Sequence, residues 1–284
     1  QQARKYPNIE ILENWEVKDF IDQNGWVKGV KAQSGGQKEE FLAKFLVGAD
    51  GAYSVVARKT VSGEKKIQQG TFGLRAYFQG VKGLTHQIEV HCGRSILPGY
   101  GWVFPAGEDS ANVGVGIAAR HLKEKNIRNL FQTFVEGNPF VKERLREARM
   151  VENSLQGGPI PVGSFFRQRS RKNVLLVGDA AGFTDVLTGE GIYFALRSGE
   201  CAAEAIHSAL SLPGEMEKAG RFYEGLWRSA LQSREFLFGA FVQRLIVREF
   251  FLNRNITRAL KKPSMARDLA SILCHQKTKM GLLF

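Results

Sequence analysis

Two aspartates close apolar runs in the same way. Phe45-Leu46-Val47-Gly48-Ala49 leads into Asp50-Gly51, and Val174-Leu175-Leu176-Val177 leads into Gly178-Asp179. An aspartate at the carboxyl edge of an open sheet can accept hydrogen bonds from sugar or polyol hydroxyls. A neighbouring glycine lets the backbone approach a ligand closely. Either aspartate alone is equally compatible with a helix cap or a turn. The second run continues through Ala180-Ala181-Gly182 and Thr188-Gly189-Glu190-Gly191 before Ile192-Tyr193-Phe194 opens a helical pattern. Free amides at such a helix start suit a pyrophosphate or an electron-rich ring edge. A third chemical feature is Tyr100-Gly101-Trp102-Val103-Phe104-Pro105. Strand alternation puts Tyr100, Trp102 and Phe104 on one face. That face is either ordinary sheet packing or one wall of an apolar tunnel.

These residues need elements to position them. The stretch 9–21 is β-rich, and Asn24-Gly25 after it is a strong hairpin signal. With Trp26–Ala32, a turn at Ser34-Gly35-Gly36 and Glu40–Val47, it predicts a three-stranded meander. Residues 70–118 predict four more strands separated by Gly and Pro. Residues 121–149 read as helix, broken near Gly137-Asn138-Pro139. Asn173–Val177 reads as a short buried strand and Gly191–Leu210 as a helix. The predicted apolar stripe of that helix is Ile192, Ala195, Leu196, Gly199, Ala202, Ala203 and Ile206. The remainder reads as largely helical. The run 236–251 reads as a packed helix or, more sharply, a membrane-surface face.

Composition narrows the classes. The chain has 284 residues, 43% apolar and 24% charged, with 31 glycines. That is enough for one large or two medium domains. Cys92, Cys201 and Cys274 are too few and too scattered for a disulfide framework or a zinc site, so no metal is expected. No uncharged stretch reaches the roughly 18 residues of a membrane span, no signal peptide is visible, and a cytoplasmic protein is expected. The net charge is +12, and +8 of it lies between Arg221 and Phe284. Such a region attracts anions. No nucleic-acid reader motif accompanies it, so no nucleic-acid partner is expected.

Gly48–Arg58 resembles the internal "DG" motif of FAD-dependent oxidoreductases of the aromatic-hydroxylase superfamily. Gly178–Gly199 resembles their second FAD fingerprint in the form used by the geranylgeranyl reductase family. Pro98–Gly116 resembles that family's substrate-domain signature. The resemblance covers most of residues 9–210 in order. It implies a mixed α/β fold: a partial FAD/NAD(P)-binding Rossmann-like domain at 1–60 and 160–210, a β-rich substrate domain at 61–159, and a helical C-terminal region at 211–284. It implies FAD as cofactor, held by Gly178 and Asp179 at the ribityl chain or phosphate. Gly189, Gly191 and Ile192 would lie by the flavin ring, Asp50 and Gly51 near the pyrophosphate, and Val17 near the adenine. Tyr100, Trp102 and Phe104 would bind substrate.

The implied activity is reduction of isoprenoid C=C bonds in a polyprenyl diphosphate or prenylated lipid. NADPH or reduced ferredoxin would supply electrons, and peripheral contact with an anionic membrane would suit such a substrate. A monooxygenase or halogenase of the same fold is the alternative, against which Tyr100 and Phe104 stand. A non-catalytic fragment is the other.

Two departures stand out. Ala57 occupies the place where many superfamily members carry an arginine, and Arg58 follows it. The opening Gly-x-Gly-x-x-Gly unit is absent, and the chain begins without Met just upstream of a strand. We therefore expect an N-terminal dinucleotide-binding unit to be missing. The cysteine region some members use lies in that unit, so no catalytic residue is assigned.

Overall fold

A computed structural model describes residues 2–61, 70–93, 95–97, 99–162, 168–186, 188–212, 215–231 and scattered positions between 238 and 271. The meander forms as expected. Strands β1 (Glu16–Gln23), β2 (Trp26–Ser34) and β3 (Gln37–Leu42) pair antiparallel in the order β1-β2-β3. Asn24 and Gly25 take φ of 56° and 78°, the left-handed pair a tight hairpin turn requires. Two boundaries differ from expectation. Residues 9–15 lie outside the strand, and the third predicted strand splits. Its second half, β4 (Leu46–Gly48), leaves the meander and joins another sheet.

That sheet has the order β11-β12-β4, with β11 at Ser170–Arg171 and β12 at Val174–Leu176. Strands β12 and β4 run parallel, with Leu176 opposite Gly48. The two Gly/Asp strand ends therefore lie side by side at one sheet edge, which is what open α/β sheets offer a ligand. Asn173 joins this sheet to the meander. Its buried amide accepts from Val27 N at 3.1 Å and donates to the carbonyls of Val27 at 2.6 Å and Lys44 at 2.8 Å.

The largest sheet runs β10-β5-β8-β7-β6, with β9 also on β5. Its strands are β5 (Thr71–Gln79), β6 (Glu89–His91), β7 (Tyr100–Pro105), β8 (Ser110–Ala118), β9 (Arg149–Met150) and β10 (Gln156–Ile160). Helices α1 (Ile127–Gly137) and α2 (Pro139–Leu145) cover one face. Leu74, Ala76, Val103, Val113, Val115 and Ile117 pack there against Leu130, Phe134 and Val141. The helix break falls where the sequence puts it. Asn138 caps α2 by accepting from Phe140 N and Val141 N, and Pro139 takes the first helical position.

Helices α3 (Ile192–Ser211) and α4 (Ala219–Ala230) pack beside the parallel sheet. The buried face of α3 is Phe194, Ser198, Cys201, Ala202, Ala205 and Ala209. The predicted stripe is thus rotated: Ile192 is 78% and Leu196 67% exposed. The cause is a buried polar contact that an apolar count passes over. Ser198 Oγ accepts from Gly178 N at 2.9 Å and donates to Ala195 O at 3.0 Å. The small residues further along α3 let α4 approach. Trp227 and Tyr223 are fully buried, and Tyr223 donates its hydroxyl to Leu176 O. Burial pushes the Tyr223 phenol well above its usual range. Arg169 is buried too, its guanidinium 4.3 Å from the Phe183 ring and 4.4 Å from that of Trp227. The run 236–251 and Cys274 fall on or among positions outside the described residues. Among the described residues no helix is long and apolar enough to cross a membrane, and no His/Cys/Asp/Glu group could hold a metal ion.

Candidate functional site

The chain leaves β12 through Gly178, whose φ of 53° suits glycine, and closes a short 3-10 turn over Gly178–Ala181. Asp179 follows at the sheet edge, partly buried. Its Oδ1 accepts from Thr184 Oγ1 at 2.9 Å. The start of α3 lies against this pair: a Cβ at Gly191 would meet Asp179 Oδ1 and Thr184 Oγ1, each at 3.3 Å. The opening aspartate and the helix start are therefore neighbours, although twelve residues separate Asp179 from Ile192.

The intervening loop is folded on itself. Buried Asp185 accepts from Thr188 N at 2.9 Å and Thr188 Oγ1 at 3.2 Å. Its own N–H donates to Glu190 O at 2.8 Å, and Gly189 N donates to its carbonyl at 3.0 Å. Glu190 Oε1 accepts from Tyr193 N at 3.1 Å. The amides of Gly191 and Ile192 have no hydrogen-bond partner recorded among the described residues.

The aromatic strand reaches this loop. Tyr100 donates its hydroxyl to Thr188 O at 2.9 Å, and a Cβ at Gly189 would stand 2.8 Å from that hydroxyl. Gly189, at φ 74°, is glycine for both reasons. Burial, with Cys92 and Asp185 as lesser causes, pushes the Tyr100 phenol up to about 12, so it stays a donor at neutral pH. Tyr100, Trp102 and Phe104 share the sheet face opposite α1, their ring centroids 5.9 Å apart at each step. Gly73, Gly114 and Gly116 floor this face. A Cβ at Gly114 would sit 2.2 Å from the indole of Trp102, so the ring lies flat on the strand. Trp102 Nε1 donates to Asn112 Oδ1 at 2.8 Å.

The geranylgeranyl reductase catalytic domain signature matches residues 75–156. A digeranylgeranylglycerophospholipid reductase of Methanosarcina acetivorans is 34% identical over 77% of this chain and 53% of its own length. That of Methanothrix thermoacetophila is 32% identical over 93% of this chain and 63% of its own. The chain is similar to the geranylgeranyl reductase family in its catalytic-domain signature and in these relatives. It spans between half and two thirds of the length of these two relatives. A solved geranylgeranyl bacteriochlorophyll reductase-like protein from Thermoplasma acidophilum shares the fold, with a TM-score of 0.66 at 24% identity over 91% of this chain and 69% of that one. A flavin-dependent brominase, Bmp2, shares it equally, at 0.67 and 18% identity over 91% of this chain and 64% of that one.

The structure gathers Gly178, Asp179, Gly189, Gly191 and Ile192 around one turn and brings Tyr100 to it. Trp102 and Phe104 follow along the sheet. Asp50 lies at the adjoining strand end, but its carboxylate is engaged locally. Oδ1 accepts from Ser54 Oγ at 2.5 Å, and Oδ2 accepts from Val55 N at 2.7 Å and Val56 N at 3.1 Å. Gly51 turns the chain there at φ 72°. Val17 sits exposed in β1 opposite Ala32, with no recorded hydrogen bond to the turn. Sequence reasoning passed over Thr184, Asp185 and Thr188. The spacing Asp185-x-x-Thr188 ahead of glycine is the signal that could have found the last two, since short polar side chains bond the backbone two or three residues on.

Proposed function

We propose that this chain carries the flavin-facing and substrate-facing parts of an FAD-dependent reductase of isoprenoid C=C bonds. The observation that carries the reading is the Tyr100 hydroxyl on the Thr188 carbonyl. It ties an aromatic, glycine-floored sheet face to the turn that opens α3. The matched family and the names of the relatives supply the substrate class, a geranylgeranyl lipid.

The residues present fit the ring and polyol portions of FAD. Asp179 keeps Oδ2 without a recorded partner and can accept from ribityl hydroxyls. The Gly191 and Ile192 amides can donate to an electron-rich ring edge. Space for both comes from glycine, since a Cβ at 191 would crowd the Asp179–Thr184 pair. When bound, FAD supplies the hydride. The chain's own work is orientation and exclusion of water. Asp179 and the α3 amides hold the cofactor side. Trp102 and Phe104 give the prenyl chain an apolar wall, worth roughly 0.8 kcal/mol per buried CH₂. Tyr100 keeps the two in register.

The division into cofactor pieces at 1–60 and 160–210, a substrate domain at 61–159 and a helical region at 211–284 belongs to this reading. The parallel pairing of β4 with β12 supports it, because the two strands share one sheet although the six-stranded sheet lies between them in sequence. NADPH or reduced ferredoxin as electron donor, and peripheral contact of the basic C-terminal region with an anionic membrane, also belong to this reading.

The test is anaerobic. The protein with dithionite-reduced FAD is mixed with a digeranylgeranylglycerophospholipid, and the lipid is analysed by mass spectrometry. One hydrogen molecule gained per double bond is the expected product. Unchanged lipid, or turnover that appears only with oxygen and a halide or hydroxylatable substrate, would overturn the assignment.

A further inference from the structure

The open face of the six-stranded sheet carries more than an apolar wall. On β5 the side chains sharing the face of Trp102 are Thr71, Arg75, Tyr77 and Gln79, with Gly73 between them, because β5, β8 and β7 pair Arg75 with Gly114 and Gly114 with Trp102. Among the described residues of this sheet, the charged side chains placed on that face are Arg75, in the middle of β5, and Arg149, on β9 opposite Gln79 at the strand's end. The position of Arg75 is set on three sides. Nη1 donates to Ser154 O at 2.8 Å, Nη2 donates to Gln156 Oε1 at 2.8 Å, and the guanidinium lies 4.8 Å from the Tyr77 ring centroid. All three partners are neutral. No carboxylate pairs with Arg75 among the described residues. A guanidinium has five N–H donors in a planar fork, so three remain after these two bonds. It is a held, uncompensated cation with its remaining donors unused.

Asn112 adds a second donor. It sits opposite Tyr77 in the register, one step along from Gly114. Trp102 Nε1 can only donate, so the bond to Asn112 Oδ1 fixes which way the amide lies. The Nδ2 hydrogens are then left for another acceptor, and none is recorded among the described residues. A planar guanidinium and an amide N–H, diagonal to one another across β5 and β8 on one face, are donor types that recognise phosphate oxygens.

We propose that Arg75 and Asn112 receive the phosphate of an isoprenoid lipid whose chain runs over Trp102 toward Tyr100 and the α3 turn. The proposal rests on the reductase reading and assigns the head-group end of its substrate. A phosphodiester of a glycerolipid and a free prenyl diphosphate share the chemistry concerned.

The test is equilibrium dialysis of the chain against three probes below their micelle-forming concentrations: geranylgeranyl diphosphate, digeranylgeranylglycerophosphate and geranylgeraniol. The wild-type chain is expected to bind the phosphorylated probes at least about tenfold more tightly than the alcohol, the scale of one charged hydrogen bond. The comparison of the two phosphorylated probes identifies the head group. Arg75→Gln should bring them down to the alcohol's affinity and leave the alcohol unchanged. Asn112→Asp keeps an acceptor for Trp102 and opposes phosphate, so it should cost the phosphorylated probes about tenfold and spare the alcohol. It also answers the case in which Arg75→Gln fails to fold. Equal weakening of all three probes would make Arg75 a brace between β5 and β10 and sink the proposal. Unchanged phosphorylated binding in both variants would place the head group elsewhere and sink it too. A wild-type chain that binds the alcohol well but gains nothing from phosphate overturns this proposal alone. A wild-type chain that binds none of the three overturns the reductase reading with it.

Discussion

Asp50 and Asp179 follow the ends of two adjacent parallel strands, two and three residues on, yet their carboxylates are spent differently. At Asp50 a helical turn starts within five residues. The carboxylate takes a hydroxyl and two amides of that turn and has little left to offer. At Asp179 the helix starts only at Ile192, and a loop with its own internal anchor at Asp185 brings that start beside the aspartate with no recorded bond from its amides to the carboxylate. Asp179 takes one hydroxyl from Thr184 and keeps an oxygen without a recorded partner. Chain length between strand end and helix start, rather than the residue type, separates a cap from a cradle.

The largest effect should come from removing each carboxylate in turn. Asp179→Ala should weaken FAD binding about a hundredfold, as two charged hydrogen bonds would, with little change in melting temperature. Asp50→Ala should cost about 1 kcal/mol of stability, the usual scale of a lost N-cap, with FAD affinity within about threefold by the same scale. Flavin fluorescence quenching and thermal melts on both variants decide it. Equal loss of flavin in the two would break the distinction.

A smaller effect should follow from the glycines beside them. An added Cβ at Gly191 meets Asp179 Oδ1 and Thr184 Oγ1 at 3.3 Å, close enough that both must give way. At Gly51 it meets nothing within 4 Å, but φ is 72°. Gly191→Ala should therefore cost about tenfold in flavin affinity and little stability. Gly51→Ala should cost about 1 kcal/mol of stability through backbone strain and little affinity. The same two measurements apply, and a reversed pattern would show that the cradle lies at the other strand end.

Much of this was legible before any coordinates. Local grammar carried it: Asn24-Gly25 gave the hairpin, Asn138-Pro139 the helix break, and the two apolar runs the paired strands. The aromatic alternation at Tyr100, Trp102 and Phe104 placed one face of a strand correctly. What was illegible depended on contacts distant in sequence. The orientation of α3 follows from Ser198 meeting Gly178, a polar contact invisible to a hydrophobic period. The split of the third meander strand follows from Leu46–Gly48 finding β12, more than a hundred residues on. Arg75 carries no sequence signal of its own; the register alone sets it across Gly114 from Trp102. The different uses of Asp50 and Asp179 were readable only in part. Ser54, four residues after Asp50, belongs to a turn whose amides also close on the carboxylate, whereas Thr184, five residues after Asp179, brings its hydroxyl with no amide recorded beside it.

The smallest effect concerns the hydroxyls that hold the two carboxylates. Thr184 Oγ1 donates to Asp179 and makes no other side-chain bond recorded here, so Thr184→Val removes one contact and keeps the shape. Asp179 then keeps its place at the sheet edge with one more rotamer open to it. The expected loss is about threefold in FAD affinity, the low end of a net hydrogen bond. Ser54 does two jobs, donating to Asp50 Oδ1 and accepting from Ala57 N at 2.8 Å. Ser54→Ala leaves the Ala57 amide buried without that acceptor. Unmade bonds to buried groups cost more than made ones return, so about 1–2 kcal/mol of stability should go. FAD affinity should stay put, because the turn it steadies faces its own strand end rather than the α3 amides. A Ser54→Ala variant that melts like the wild type but loses flavin would mean that Asp50 is free to reach the cofactor, and the cap would have to be read as part of the cradle.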